Sequence, residues 1–125
     1  MMNRVLILLI MLVGIGFLVA QPYAQSLFFS EYVEGASNNK AIEIFNGTGQ
    51  TVDLSTVTVK LASNGGAWST TNIITLTGTL AHGDVYVIAN SQASAAILAV
   101  SDVTSTVTYF NGDDALGLFV SDVMV

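Results

Sequence analysis

The side chains able to do chemistry are few and scattered along the chain. His82 is the only histidine, set in Ala81-His82-Gly83-Asp84, and cysteine is absent. Nucleophilic catalysis needs a nucleophile, a base and an orienting partner, and no such spacing surrounds His82, which reads as a turn residue. Glu31, Glu34 and Glu43 could converge near one end of a sheet, and Asp113-Asp114 could add further oxygens suited to Ca²⁺. Their spacing matches no EF-hand loop, so solvated loop carboxylates are the favoured reading. Paired carboxylates for glycoside hydrolysis would need a cleft, which a domain this small rarely provides. Asn46-Gly47-Thr48 matches a glycosylation sequon, yet Asn-Gly between strands is also a turn signal and reads better as one. Trp68 follows Gly65-Gly66-Ala67 in a Ser/Thr/Asn-rich loop, either as an exposed recognition aromatic or folded back to cap the core. No catalytic, cofactor-binding or metal-ligating residue is assigned, and no cofactor is expected.

The elements that must position these residues are short, β-branched and aromatic, with turn signals between them, as in a sandwich or barrel. Strands are expected at Leu27 to Val33 and at Ala41 to Asn46, where Ile42 and Ile44 alternate with Glu43 and Phe45. Val57 to Ala62 alternates again and ends at Asn64-Gly65-Gly66, whose residue types accept positive φ. Ile73 to Leu80 and Val85 to Ala89 are expected to form a hairpin about Ala81 to Asp84. Ser91 or Asn90 offers an N-cap for one short helix over Gln92 to Val100. Thr106 to Phe110 and Ala115 to Val120 read as strands split by Asn111-Gly112-Asp113-Asp114, and Val123 to Val125 as the beginning of another.

Ahead of these, Met1 to Arg4 forms a positive start, and Val5 to Ala20 is an unbroken run of 16 apolar or glycine residues before Gln21-Pro22. That length suits the core of a cleavable signal peptide and falls short of the roughly 17 to 25 residues of a spanning helix. Small residues at Ala20 and Ala24 give a mature start at Gln21 or Gln25, and residues 1–24 are read as the signal, 25–125 as one domain. Attachment to a membrane is expected only if the signal stays uncleaved. All nine acidic residues and both lysines lie beyond this segment, so the mature net charge is −7. Such a surface repels phosphate backbones, which makes nucleic acid an unlikely partner. With no cysteine there is no disulfide or lipid-acylation site, so stability must come from a packed core; in a small exported domain this fits a bacterial source.

These segments, in this order, resemble the lamin tail domain. The residues that carry the resemblance are Leu27 to Gly35 (LFFSEYVEG), Asn38 to Asn46 (NNKAIEIFN), Val52 to Ser55 (VDLS), Leu80 to Ile88 (LAHGDVYVI) and Phe110 to Leu116 (FNGDDAL). The resemblance implies an immunoglobulin-like antiparallel β-sandwich with one short helix. Members usually run on past the Asp-Asp-Ala-Leu hairpin to a closing strand, so the domain is expected to be truncated at its C-terminus. An edge strand left open in this way would favour self-association. Gly117 is a second departure, since it weakens a strand position where a longer side chain would pack.

Bacterial lamin tail domains are similar in following signal peptides and in accompanying exported hydrolases. The resemblance therefore implies a secreted or cell-surface, non-catalytic interaction or targeting module whose partner is a protein or cell-surface component. The alternative is an accessory domain of a longer exported nuclease or phosphoesterase.

Overall fold

Alternation of aliphatic and polar side chains builds two sheets that bury one face each. A computed structural model of the chain describes residues 26–125, and the expected signal helix and its cleavage sites lie outside the described residues. The strands are β1 (Leu27–Glu34), β2 (Lys40–Asn46), β3 (Val52–Asp53), β4 (Val57–Ala62), β5 (Ile73–Thr75), β6 (Thr79–Leu80), β7 (Val85–Ala89), β8 (Val103–Thr104), β9 (Ala115–Val120) and β10 (Val123–Met124), with one helical turn, α1 (Ala95–Leu98), between β7 and β8. One sheet has the order β1-β2-β7-β8 and the other β10-β9-β4-β5, while β3 and β6 form a small ribbon. The architecture is the expected antiparallel sandwich, with β7 and β8 as a parallel pair.

Ile42, Ile44 and Ile88 of the first sheet meet Val57, Val59, Leu61 and Leu118 of the second in one continuous core. Leu54, Leu76, Val107 and Phe110 from the connections and Leu80 from the β3-β6 ribbon complete it. Each fully buried aliphatic or aromatic side chain contributes about 1.5 to 3 kcal/mol, and that packing replaces the staples a cysteine-free domain lacks.

A register shift in β1 decides which side chains face this core. Phe29 pairs with Ile44 and Glu31 with Glu43, leaving Ser30 as the extra residue of a β-bulge. Strict alternation from Phe29 would aim Glu31 inward. The bulge turns Glu31 outward beside Glu43 and brings Tyr32 onto the side of Ile42.

Several expected elements take another form. Ile73 to Leu80 is not one strand, because Gly78 adopts φ 87° and divides it. Ile74 pairs with Val59, Leu76 turns into the core, and Leu80 pairs with Val52. The expected hairpin with Val85 to Ala89 does not form, since β7 lies against β2 with Ile88 opposite Ile42. Thr106 to Phe110 is a 3₁₀ turn over Thr106–Thr108 instead of a strand. Ser105 Oγ accepts from the Val107 N–H at 3.2 Å and the Thr108 hydroxyl donates to the Ser105 carbonyl at 2.6 Å, and these local bonds outweigh the β-propensity of Thr-Val-Thr. The helix is shorter than Gln92 to Val100. Val123–Met124 folds back on β9 through Ser121 and Asp122, both at positive φ, as a tight hairpin requires.

Gly117 and Trp68 explain each other. The indole lies on the outer face of the second sheet, edge-on to Phe119 with ring centroids 5.5 Å apart, and Lys60 Nζ sits 4.5 Å from the Phe119 centroid on the same ring. A Cβ on residue 117 would approach Phe119 Cε2 to 2.7 Å and Trp68 Cη2 to 2.8 Å. Trp68 thus stays partly exposed on the outside of the sandwich, as one of its two expected readings has it, and covers Phe119 there instead of capping the core. Gly117→Ala should cost about 1 to 3 kcal/mol through overpacking. Most of that cost should vanish in a Trp68→Ala background, where Phe119 is free to swing away. A double-mutant cycle by urea denaturation measures this, and strictly additive losses would contradict it.

Candidate functional site

His82 and the carboxylates of Asp53, Asp102 and Asp114 are tied to backbone N–H groups. His82 Nδ1 accepts from the Gly49 N–H at 3.1 Å, which links the turn after β2 to the turn before β7. Asp114 accepts from the Asn64 N–H at 2.8 Å and the Asn111 N–H at 2.9 Å. Asp102 accepts from the Val87 N–H at 2.7 Å. Asp53 accepts from Ser55, whose hydroxyl and N–H hold its carboxyl below the ordinary range.

The three glutamates separate into two places. Glu31 and Glu43 are direct cross-strand neighbours on the outer face of the first sheet, where Ser30 Oγ donates to Glu43 at 2.7 Å. Glu34 sits at the end of β1 and joins a different group. Its carboxylate accepts from the Tyr32 hydroxyl at 2.8 Å and the Gly112 N–H at 3.1 Å, with Lys40 Nζ 3.6 Å away. Among the described residues no three acidic, histidine or cysteine side chains gather as metal ligands would.

The Glu34 group fastens the start of the Asn111–Asp114 turn to the first sheet. Tyr32 stacks on Phe110 at a centroid distance of 4.4 Å, and Lys40 Nζ donates to the Phe110 carbonyl. Partial burial against Phe110 on a residue that stays 50% exposed, reinforced by the hydrogen bond to Glu34, pushes the Tyr32 hydroxyl up to about 12. The same hydrogen bond, then the Gly112 N–H and Lys40, holds the Glu34 carboxyl below its ordinary value of 4.5. A depressed carboxyl stabilises the fold above its unfolded pKa, and that stabilisation is lost as pH falls through the folded value. Glu34→Gln should therefore melt below the parent at neutral pH, with the gap closing on acidification below the ordinary carboxylate range. Paired thermal melts across that range test it, and a gap independent of pH would rule it out.

Asn46 is fully buried and serves as a hub, which removes the sequon as a modification site. Its Nδ2 donates to the Gln50 and Leu80 carbonyls, each at 2.8 Å, and its Oδ1 accepts from Thr48 N–H at 3.0 Å and Thr48 Oγ1 at 2.8 Å. An amide already satisfied on both sides and out of solvent has no face to offer an oligosaccharide carrier.

Two surface features have the form of recognition sites. An apolar groove of about 360 Å³ runs between β1 and the β9-β10 hairpin, with Phe29, Leu118 and Met124 among its walls. A polar depression of about 210 Å³ lies at the far end of the first sheet, lined by Ser37, Asn38, Lys40, Asn90, Gln92 and Tyr109. Asn38 Nδ2 donates to Gln92 Oε1 at 2.6 Å, and Tyr109 is 51% exposed. Sequence reasoning missed this depression because its parts are far apart in the chain and Tyr109 was placed inside a strand. An aromatic outside the alternating pattern was the one available signal.

A comparison with protein-family models matches residues 20–123 to the Lamin Tail Domain. Neither the comparison with curated proteins nor that with solved structures gives a match. The matched span covers the whole of both sheets down to Val123, the two-layer order and single helical turn agree with an immunoglobulin-like sandwich, and the chain accordingly belongs to the lamin tail domain family.

Proposed function

We propose that the chain is an exported, non-catalytic interaction or targeting module acting outside the cell or at its surface. The observation that carries this reading is where the titratable side chains point. His82, Asp102 and Asp114 are all engaged with backbone N–H groups, as fasteners of turns. Among the described residues the Glu31–Glu43 pair stands alone on an outer sheet face with no histidine or third carboxylate beside it, while amides and hydroxyls, with Lys40, surround an open depression, which suits binding by loops held on a rigid scaffold. The family is one of non-catalytic immunoglobulin-like domains, and the positive start followed by an apolar run of 16 residues supports export.

Expression of the full chain in a bacterial host tests both halves. The product should be recovered outside the cytoplasm with Gln21 or Gln25 as its first residue, and should not turn over nucleic acid, phosphoesters or glycans. Retention in the cytoplasm with Met1 intact would overturn the export, and turnover abolished by His82→Ala would overturn the non-catalytic role.

A further inference from the structure

We propose that the polar depression beside Tyr109 is a binding site for a neutral saccharide. The inference rests on the reading of the chain as a binding module and names the class of ligand that the module takes.

The lining chemistry selects the ligand. Asn38, Asn90 and Gln92 bring three planar amides to one opening, together with the hydroxyls of Ser37 and Tyr109. Amides and hydroxyls supply donors and acceptors in the mixture that sugar hydroxyls require, because each sugar hydroxyl both gives and accepts. Asn38 donates to Gln92, and this leaves Asn38 Oδ1 as an acceptor and Gln92 Nε2 as a donor without partners among the described residues.

Asn90 points to a ligand independently. The residue is 2% exposed and its Oδ1 accepts from the Gln92 N–H at 2.9 Å, while its Nδ2 donates to no other group among the described residues. Every fully buried side-chain nitrogen or oxygen among those residues has a partner, so the free Nδ2 is not sealed from solvent, and Asn90 lines the depression. A buried amide with one donor left open toward a cavity is a fixed recognition point.

The depression is also held in shape before anything binds. Asn39 Oδ1 accepts from the Ser94 N–H at 2.8 Å and ties the loop after β1 to the segment after β7. The same loop is pinned by the Gly35 N–H to the Asn39 carbonyl at 2.8 Å, with Ser37 at φ 58°. Walls fixed in this way lower the ordering cost of binding.

Charge argues against an anion. Among the described residues Lys40 is the only cation on the lining, and its ammonium group is already committed to the Phe110 carbonyl and the Glu34 carboxylate. The mature chain carries a net charge of −7, which opposes the approach of uronates or phosphates. The half-exposed Tyr109 ring adds an apolar platform for the C–H face of a sugar ring. At about 210 Å³ the depression is smaller than the roughly 300 to 1,000 Å³ of sites that enclose drug-sized molecules. It has room for one ring of a longer chain.

The test is titration of the purified full chain with cellotriose, xylotriose, maltotriose and triacetylchitotriose, read by calorimetry and by amide NMR shifts, with trigalacturonate as an anionic comparison. At least one neutral trisaccharide should bind saturably, with shifts centred on Asn38, Asn90, Gln92 and Tyr109. Tyr109→Ala and Asn38→Ala should each weaken binding about tenfold, the loss of one well-placed contact, with little change in melting temperature. Tyr109→Phe should retain most of the affinity, because it keeps the ring. Binding of trigalacturonate alone, shifts confined to the Trp68 face, or no saturation by any neutral probe would overturn the proposal. A chain that is exported and non-catalytic yet ignores all four sugars would sink the saccharide site and leave the module reading intact. Sugar binding by a chain retained in the cytoplasm would do the reverse.

Discussion

Asn46→Ala should be among the most damaging single substitutions in this domain, with a loss of about 3 kcal/mol. The residue is entirely out of solvent, and its side chain joins Thr48, Gln50 and Leu80 in four hydrogen bonds. Its backbone adds two more, from its own N–H to the Asp84 carbonyl and to its carbonyl from the Gly83 N–H, and these survive the substitution. Truncation leaves the Leu80 carbonyl buried without its partner, and a buried group left unsatisfied costs about 1 to 3 kcal/mol. The Gln50 and Thr48 groups are nearer the surface, where water replaces part of what is lost. For a domain of about 100 residues each kcal/mol shifts the midpoint by about 4 to 8 °C, so a fall of at least about 12 °C is expected.

Asn46→Asp separates hydrogen bonding from packing. It keeps the volume but aims a carboxylate at the Gln50 and Leu80 carbonyls, so at neutral pH it should be as unstable as the alanine variant. Burial against two acceptors favours the protonated acid, which can donate, and a carboxyl raised in the fold lifts its penalty as pH falls. The aspartate variant should therefore regain stability relative to Asn46→Ala on acidification. Urea melts of parent and both variants at neutral and mildly acidic pH give the answer. Parent-like stability of Asn46→Ala would show that the hub is not a support.

The sequence was legible where alternation was local. Val57 to Ala62, Val85 to Ala89 and Ala115 to Val120 have the expected limits, and β1 and β2 each extend one residue further, to Glu34 and from Lys40. Pairing was not legible, because partner choice depends on the whole chain. Val85 to Ala89 follows Leu80 closely enough for a hairpin, but its Ile88 is buried against Ile42 of β2. Thr106-Val107-Thr108 has strand-forming residues, and the bonds to Ser105 that make it a turn are set by φ and ψ, which composition does not specify. The β-bulge at Ser30 is a one-residue event that no periodicity records.

The same divide runs through the site. Asn46 read as a surface turn because Asn-Gly has that meaning in most settings, and its burial depends on a carbonyl 34 residues away. Asn38 and Gln92 lie 54 residues apart and meet only after β2 and β7 pair. Gly117 gave half a signal. A glycine within a strand of large side chains marks a close approach, but the approaching group, Trp68, was identifiable only from the fold.

Phe110→Ala should be at least as costly as the loss of Asn46, at about 3 to 5 kcal/mol. Among the described residues Phe110 is the largest fully buried side chain. It comes from the connection before β9 and fills the sandwich end beside Tyr32, with Lys40 Nζ 5.5 Å from its ring centroid. Removing it forfeits both the transfer of an aromatic ring out of water and the contacts lining the cavity left behind, against a total stability of about 5 to 15 kcal/mol for a typical domain. Phe110→Leu fills most of that cavity and should cost only about 1 to 2 kcal/mol, which keeps the variant folded for a second measurement. Burial is the chief cause of the raised Tyr32 hydroxyl, and the ring stacked on Phe110 supplies part of that burial. In Phe110→Leu the Tyr32 hydroxyl should titrate below its parent value of about 12 and move toward 10, while Tyr86, raised by its own burial and by Asp102, stays where it is. Carbon-detected NMR of the tyrosine rings resolves the two titrations. A Tyr32 titration unchanged by the substitution would place the cause in the Glu34 carboxylate instead of the Phe110 ring.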